Sequence, residues 1–282
     1  MPVNPIPRHI LKDAVTRALA EDQGGRGDIT ALACIPATAT AKFYFAAREK
    51  GVLCGIEPAL EAIWQMDPDA GVSVQIEDGE PVARGDLIAS VQGNARALLA
   101  AERIALNFLG RMSGIATFTR RYVDAVAGTG AQIAHTRKTT PGMRAFELQA
   151  VQAGGGALHR FGLDDAILIK DNHVAVCGGV AQAVKAAKSN AGHMTRIAVE
   201  VDRLDQLDAA IEAGAESVLL DNFSLEDLRS AVSRAKGKVT LEASGGVNLE
   251  TVHGIAETGV DVISVGALTH SAPNFDIGLD DA

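Results

Sequence analysis

The fold is decided between residues 197 and 221, where the chain runs IAVEVDRLDQLDAAIEAGAESVLLD. The two ends of this stretch, IAVEV and SVLLD, are nearly continuous apolar runs, which are typical of strands buried on both faces of a parallel sheet. The residues between them place apolar side chains at helical spacing, and a helix is the usual connection between neighbouring parallel strands. The stretch is therefore predicted to be a strand–helix–strand unit.

This unit repeats along the second half of the chain. Apolar runs of the same kind occur at residues 131–135, 166–170, 197–201, 217–221, 239–243 and 261–266. The last four runs follow one another at short intervals, which favours a (β/α) barrel over a loosely connected open sheet. Because six runs are clear rather than eight, we predict a small or irregular barrel after about residue 115.

The first part of the chain has a different pattern. Residues 8–22 carry apolar side chains at helical spacing, and residues 95–110 are rich in Ala and Leu, so both segments are predicted to be helices. Residues 39–56 and 71–91 contain strand-like runs separated by turn residues. We expect an α+β unit here.

The charge of the chain is unevenly distributed. The net charge is −9, which argues against general binding to nucleic acids because such binding needs a basic surface. The segment from Arg103 to Lys170 nevertheless holds nine basic and four acidic residues. Two interpretations fit this segment: a solvated basic face, or a pocket in which Arg and Lys side chains bind a small carboxylate or phosphate.

The sequence also bears on the compartment of the protein. Its apolar runs are all shorter than the roughly 18 residues that a membrane span needs. The N-terminal residues lack a basic start followed by an apolar core, so no secretory leader is expected. The cysteines Cys34, Cys54 and Cys177 are odd in number and far apart, which suits a reducing environment. We expect a cytoplasmic protein with no membrane partner.

Polar residues follow nearly every predicted strand of the barrel. They are His135 to Lys138, Lys170 to His173, Glu200, Asp221 with Asn222, Glu242 to Gly246, and Gly266 to His270. Active sites of such barrels form at the carboxyl ends of the strands, so these residues are expected to meet at one rim. This succession of polar strand ends predicts a functional site rather than a set of solvated ends.

The predicted site has a cationic half and an acidic half. The cationic half consists of Arg137, Lys138, His159, Arg160 and Lys170. The acidic half consists of Glu200 and Asp221, with Glu242 as a weaker candidate. The acids have two interpretations: they share Mg²⁺ with substrate phosphates, or they stabilise positive charge that develops at a sugar carbon.

Two glycine turns follow the last two predicted strands. They are Ser244-Gly245-Gly246 and Val265-Gly266-Ala267. Barrels commonly hold a phosphate on backbone N–H groups after their final strands, so we expect a phosphate at these turns.

Several stretches of the sequence resemble one known family. They are GDIT (27–30), ERIALNFLGRMSGIAT (102–117), TRKTTPGMR (136–144), GGGALHRFGLDDAILIKDNH (154–173), LLDN (219–222), EASGG (242–246) and VISVGALTHSAPNFDIGLD (262–280). In this order they resemble the quinolinate phosphoribosyltransferases and cover nearly the whole chain. The string from KTTPG to IKDNH is highly specific for that family.

The resemblance implies an α/β fold with two domains. An N-terminal α/β sandwich domain would span residues 1–114 and would be joined by the final segment, 270–282. An open, irregular (β/α) barrel of fewer than eight strands would span residues 115–269. The implied reaction converts quinolinate and phosphoribosyl pyrophosphate into nicotinate mononucleotide, pyrophosphate and CO₂, with Mg²⁺ as cofactor. The implied assembly is a homodimer, and a higher oligomer stays open.

The resemblance also assigns roles to individual residues. Residues that would bind the two carboxylates of quinolinate are Arg137, His159, Arg160, Lys170 and, donated by the partner subunit, Arg103. Residues that would surround the phosphoribosyl pyrophosphate are Lys138, Glu200, Asp221, Ser244, Gly245, Gly246, Val265, Gly266 and His270. The implied catalytic residues are Lys138, Lys170, Glu200 and Asp221. Glu200 and Asp221 would also hold the metal, directly or through phosphates and water.

Two positions depart from the family pattern. Leu148 follows Glu147 where the family usually has Lys, and Leu158 precedes His159 where the family often has Asn. The predicted ligands of the cationic half are all present. We therefore interpret the two departures as altered packing or pocket shape rather than lost chemistry.

Three functions compete at this point. The first is the quinolinate enzyme, the second a paralogue that uses another aromatic acid such as nicotinate, and the third a non-catalytic barrel that binds phosphorylated metabolites. The set Arg137, Arg160 and Lys170 favours a dicarboxylate, and rim carboxylates are unnecessary for pure anion binding. For the first function we expect decarboxylation after glycosyl transfer, since a pyridinium ring is the better electron sink.

Overall fold

The computed structural model describes residues 3–281. These residues form two compact units. The first contains the chain up to Arg120, residues 140–155 and the chain from Ser271 onward, and the second contains the segments between them. The structure thus places residues 115–120 and 140–155, which the resemblance assigned to the barrel domain, in the first unit.

In chain order, the helices are α1 (Arg8–Gln23), α2 (Ile29–Cys34), α3 (Ile56–Met66), α4 (Ala95–Ala125), α5 (Arg144–Ala153), α6 (Asp171–Cys177), α7 (Val180–Asn190), α8 (Leu204–Ala213), α9 (Leu225–Ala235), α10 (Val252–Ala256) and α11 (Ala267–His270). Among residues 3–281, no helix has the length and apolar composition that crossing a membrane requires.

In chain order, the strands are β1 (Thr40–Ala47), β2 (Gly51–Val52), β3 (Gly71–Val74), β4 (Pro81–Val82), β5 (Leu87–Asn94), β6 (Gln132–Ala134), β7 (Ile167–Ile169), β8 (Ile197–Val201), β9 (Ser217–Asp221), β10 (Thr240–Ser244), β11 (Val262–Ser264) and β12 (Ile277–Asp281).

An antiparallel sheet of order β12-β1-β5-β3 forms the centre of the first unit. Its last strand comes from the C-terminus, where Leu279 lies opposite Phe45 of β1. Phe45 is fully buried, as are Ile63 of α3 and Ile88 of β5. The sequence predicted α1 and the strands β1, β3 and β5 of this sheet, but it predicted neither a helix at α3 nor the strand β12.

Helix α4 is longer than the sequence predicted, because it continues past Gly110 to Ala125. The predicted helix covered only the Ala- and Leu-rich residues 95–110, which end at this glycine. In the structure the backbone of the C-terminal segment approaches α4 here: a Cβ on Gly110 would lie 3.0 Å from the Phe275 carbonyl oxygen, and one on Gly114 would collide with Pro273. The two glycines therefore admit a neighbouring backbone rather than end the helix.

Helix α5 explains why residues 140–155 belong to the first unit. Phe146 packs on Phe108 of α4, with ring centroids 5.2 Å apart. Glu147 is fully buried and accepts hydrogen bonds from the Arg111 guanidinium (2.7 Å) and from the Thr140 backbone N–H (3.0 Å). These contacts fix the segment that follows Lys138 in sequence.

A six-stranded parallel sheet of order β6-β11-β10-β9-β8-β7 forms the centre of the second unit. All six predicted strands are present, and the prediction of an open barrel with fewer than eight strands is confirmed. β6 and β7 are the two edges of the sheet, and a single bridge joins Ala134 at the end of β6 to Ala157. Ser244 lies opposite Asp221 at the carboxyl ends of β10 and β9. Because the strands are parallel, their carboxyl ends lie along the same edge of the sheet.

Candidate active site

A cavity of about 650 Å³ opens at the carboxyl ends of the strands in the second unit. This volume lies in the usual range for small-molecule sites. The predicted site residues that line it are Arg137, Lys138, His159, Arg160, Lys170, Glu200, Asp221, Ser244, Gly245 and Gly246. The parallel register thus brings most of the predicted residues to one place.

Two guanidinium groups in the cavity wall have hydrogen-bond donors to spare. The Nε atoms of Arg137 and Arg160 are buried and have no hydrogen-bond partner among the described residues. Arg160 uses one Nη atom to donate to the Ala166 carbonyl oxygen at 2.9 Å. Burial and the nearby charge of Arg137 lower the pKa of Arg160, and Asp165 opposes this only in part. The two cations therefore favour an anionic ligand between them.

Glu242 and Ser264 are buried polar residues in another part of the cavity wall. Glu242 is 7% exposed and Ser264 is 3% exposed, and neither Glu242 Oε1 nor Ser264 Oγ has a hydrogen-bond partner among the described residues. His159 Nε2 lies 3.6 Å from Glu242 Oε1. Burial by itself raises the pKa of Glu242, but the neighbouring His159 ring is the main group that opposes it, and the pKa is lowered. Glu242 is therefore a buried carboxylate in the site.

The acidic half of the site contains one ion pair. Lys170 Nζ lies 2.5 Å from Glu200 Oε2. The Glu200 side chain is 14% exposed, whereas that of Lys170 is 47% exposed. Asp221 Oδ2 accepts a hydrogen bond from Asn222 Nδ2 at 2.9 Å. Both acids therefore face the cavity with capacity left for a further partner.

The backbone of Lys138 is held at both ends. Its N–H donates to Thr136 Oγ1 at 3.1 Å, and its carbonyl oxygen accepts from Thr269 Oγ1 at 2.7 Å. A Cβ placed on Gly266 would lie 3.0 Å from Lys138 Cδ and 3.2 Å from His270 Nε2. Lys138, Gly266 and His270 are therefore neighbours, as predicted residues of one subsite should be.

The turn after β10 favours glycine at two successive positions. Gly245 has φ +97° and Gly246 has φ +61°, a region that favours glycine. A Cβ on Gly245 would also collide with the side chain of Asn222, whose backbone N–H donates to the Ser244 carbonyl oxygen at 2.9 Å. Asn222 itself has φ +55°. The turn thus brings bare backbone to the cavity wall, which suits a phosphate.

Four predicted residues are absent from the cavity lining: Val265, Gly266, His270 and Arg103, the last of which was expected from the partner subunit. Val265 is 1% exposed, and its backbone N–H donates to the Ala134 carbonyl oxygen at 2.9 Å. That N–H is therefore used within the sheet. Val265 has neither a free N–H nor an exposed side chain for the predicted contact with the substrate. Arg103 lies exposed on α4 in the first unit and is not part of the cavity lining.

The chain has clear relatives. A family model described as the C-terminal domain of quinolinate phosphoribosyl transferase matches residues 115–280, and the model of the N-terminal domain of the same family matches residues 28–113. The chain belongs to this family. The family that the sequence stretches resembled is thereby confirmed.

Individual members of the family are similar over nearly the full length. A nicotinate-nucleotide pyrophosphorylase (carboxylating) from Mycobacterium leprae is 46% identical, over 95% of this chain and 96% of the relative. A probable enzyme of the same name from Bacillus subtilis is 40% identical, over 96% and 93%. The solved structure of the nicotinate-nucleotide pyrophosphorylase from Francisella tularensis has a TM-score of 0.95 at 41% identity and covers 100% of this chain and 99% of its own.

The two departures from the pattern of the quinolinate phosphoribosyltransferase family take different places. Leu148 is 6% exposed in α5, where a Lys side chain would have to be buried or rearranged. Leu158 is 49% exposed and precedes His159, which lines the cavity. Neither residue lines the cavity itself.

The sequence did not single out every lining residue. Ser264 precedes the second glycine turn and faces the cavity, but a serine at the end of an apolar run carries no signal of its own. Thr136 and Asn222 also line the cavity, and the sequence had placed both among the polar residues of the rim.

Proposed function

We propose that the protein transfers the phosphoribosyl group of phosphoribosyl pyrophosphate to quinolinate and decarboxylates the product to nicotinate mononucleotide. In the transfer, the ring nitrogen of quinolinate forms a bond to the anomeric carbon while the bond from that carbon to pyrophosphate breaks. In the decarboxylation, the bond from ring C2 to its carboxylate breaks, CO₂ leaves, and C2 takes a proton that comes from solvent.

The observation that carries this proposal is the pair of guanidinium groups in the cavity wall whose Nε–H donors have no hydrogen-bond partner among the described residues. Arg137 and Arg160 each have a buried Nε–H without a protein partner, and each guanidinium offers a planar fork that matches a carboxylate. Two forks suit a ligand with two carboxylates better than a ligand with one. His159 Nε2 and Lys170 Nζ add donors in the same cavity. The site therefore favours quinolinate over nicotinate.

The other side of the cavity suits the phosphoribosyl donor. Lys138 has no carboxylate within ion-pair distance among residues 3–281, so its ammonium can face a phosphate. The turn at Gly245 and Gly246 exposes backbone against which a phosphate can bind. Gly266 and His270 lie beside Lys138. Glu200 and Asp221 stabilise the positive charge that develops on the anomeric carbon as pyrophosphate leaves.

The residues present fit a Mg²⁺ ion that is shared with the substrate. No group of three or more His, Cys, Asp or Glu side chains in the described chain could hold a metal alone. Glu200 and Asp221 nevertheless both line the cavity, and Mg²⁺ typically takes one or two carboxylates together with substrate phosphates. When bound, the ion neutralises charge on the pyrophosphate leaving group.

The site is completed by a second copy of the chain in this proposal. Arg103 is exposed on α4 and does not line the cavity of its own chain. A homodimer in which the partner donates Arg103 would add a further cation to the dicarboxylate subsite. We also place the protein in the cytoplasm, which agrees with three cysteines that are free thiols.

One assay separates this function from its competitors. The protein is incubated with phosphoribosyl pyrophosphate, Mg²⁺ and either quinolinate or nicotinate, and CO₂ and mononucleotide are measured. We expect mononucleotide and CO₂ in equal amounts from quinolinate. Product from nicotinate alone would show the paralogous function, and no product from either acid would favour a non-catalytic barrel.

A further inference from the structure

His135 is the only fully buried histidine of residues 3–281, and the proposed chemistry gives it no task. It stands immediately after β6, at the carboxyl end of the strand. Its ring Nε2 accepts the backbone N–H of His159 at 2.9 Å, and its Nδ1 lies 3.0 Å from the Thr136 carbonyl oxygen. A buried imidazole with both nitrogens engaged is a constrained group rather than a space-filling one.

The His135 imidazole continues the hydrogen bonding along β6 beyond the end of the strand. β6 is an edge of the sheet, and residues 157–160 run along it. The Ala157 N–H donates to the Ile133 carbonyl oxygen at 2.7 Å. The next N–H on that side, from His159, donates to the His135 ring instead of a carbonyl. His135 thus fixes the backbone from which His159 and Arg160 enter the cavity.

The hydrogen bonds also assign the tautomers of both rings. Because His135 Nε2 accepts a hydrogen bond, the proton of this neutral ring is on Nδ1, which donates to the Thr136 carbonyl oxygen. His159 has the opposite arrangement: its Nδ1 accepts the Arg160 backbone N–H at 2.8 Å, so the proton of the neutral ring is on Nε2. The charged groups that line the same cavity as His159 include Glu242, whose Oε1 lies 3.6 Å from His159 Nε2, and the guanidinium groups of Arg137 and Arg160.

We propose that His135 is a positioning residue for substrate binding. By holding the His159 N–H, it directs the Nε2–H of His159 and the guanidinium of Arg160 toward a carboxylate in the cavity. The inference rests on the proposed function, because it names the carboxylate as one of quinolinate. It adds that His159 donates from Nε2, with the tautomer fixed by the Arg160 N–H, and that a residue outside the cavity lining holds the backbone from which this ring enters the cavity.

Steady-state kinetics of three variants test the proposal. His135→Leu removes the acceptor, and we expect the KM for quinolinate to rise about tenfold, the factor that one lost hydrogen bond provides. The KM for phosphoribosyl pyrophosphate stays within about twofold, since Lys138 and the glycine turn keep their own hydrogen bonds. His135→Gln restores an acceptor and recovers most of the quinolinate affinity. The control is Ile133→Val, a buried change on the same strand, which lowers Tm without separating the two KM values.

A spectroscopic measurement tests the tautomers without activity. In intact protein labelled with ¹⁵N-histidine, long-range ¹H–¹⁵N correlations report which ring nitrogen carries the proton. His159→Asn and His135→Gln identify the two sets of signals. We expect the proton on Nε2 of His159 and on Nδ1 of His135 in the wild type.

Three results would overturn the proposal. They are a parallel rise of both KM values in His135→Leu, a His135→Gln variant no better than His135→Leu, and a wild-type His159 ring with its proton on Nδ1. Failure of the proposed function looks different: the wild type would then turn over no quinolinate at all, while the tautomers would still be measured.

Discussion

Lys170 Nζ lies 2.5 Å from Glu200 Oε2, and the described residues offer Lys170 no second carboxylate within ion-pair distance. In the proposed function the two residues serve different substrates: Lys170 a carboxylate of quinolinate, Glu200 the phosphoribosyl donor. The substrate that binds first must compete with this ion pair for Lys170 or Glu200. Once the pair is broken, the other residue is free to bind the second substrate. Binding of the two substrates is therefore coupled, and linkage makes the coupling reciprocal.

The first prediction concerns this coupling. Glu200→Gln removes the competing charge, so quinolinate alone should bind about two- to fivefold more tightly, the scale of a partly exposed ion pair. Calorimetric titration with quinolinate, without the phosphoribosyl donor, measures this change. Asp221→Asn is the matched control, because Asp221 lines the same cavity but forms no ion pair with Lys170. Weaker quinolinate binding in Glu200→Gln would contradict the coupling.

The second prediction concerns the support of Lys138. Thr269 is fully buried, and its hydroxyl donates to the Lys138 carbonyl oxygen. Thr269→Val keeps the shape and loses this bond, so the KM for phosphoribosyl pyrophosphate should rise about five- to tenfold. Thr269→Ser keeps the hydroxyl and should remain close to the wild type. If Thr269→Val has the KM of the wild type, the hydroxyl has no part in placing Lys138.

The third prediction concerns the shared site of the proposed dimer. Arg103→Ala should weaken quinolinate binding, and Arg137→Ala should do the same through the other subunit's side of the site. Mixing the two weakened variants creates hybrid dimers in which one of the two sites has both arginines. Activity that returns on mixing, measured as CO₂ release, is the expected result, and the control is each variant mixed with itself. Persistent inactivity of the mixture would argue against a site shared between subunits.

The fourth prediction concerns the order of the two chemical steps. If glycosyl transfer precedes decarboxylation, a mononucleotide that retains both carboxylates should accumulate briefly. Rapid quench during the first turnover, with chromatography of the nucleotides, would detect it. Quinolinate incubated with the protein and Mg²⁺ alone serves as the control. CO₂ release in that control would rule out the proposed order, because no pyridinium can form without the phosphoribosyl donor.

The fifth prediction concerns stability. The buried carboxylate of Glu147 accepts hydrogen bonds from Arg111 and Thr140, and Arg111 is 25% exposed. Glu147→Ala should lower the free energy of unfolding by about 3 kcal/mol, the lower end for a broken buried pair because water reaches Arg111. Urea unfolding followed by the fluorescence of Trp64, the single tryptophan, reports on the same unit. The exposed control Asp13→Ala should change it by less than about 0.5 kcal/mol.

Much of the second unit could be predicted from local pattern alone. The six strands of the barrel are short apolar runs between amphipathic helices, and each run is visible in the sequence without knowledge of its neighbours. Because parallel strands share a direction, the residues after each strand had to meet at one rim. That is why Arg137, Lys170, Glu200 and Asp221 could be assigned to one cavity before the fold was known.

The tertiary structure decided what those residues contact. The ion pair of Lys170 with Glu200 depends on how far two neighbouring strands project, and the burial of Glu242 depends on what packs around it. The sequence predicted helix α4 only as far as residue 110, whereas the approach of Phe275 to Gly110 joins residues far apart in the chain and is visible only in the packed structure. Composition and order thus determined the sheet and its rim, while burial and distance, which only the packed chain has, decided the partners, the tautomers and the unpaired donors.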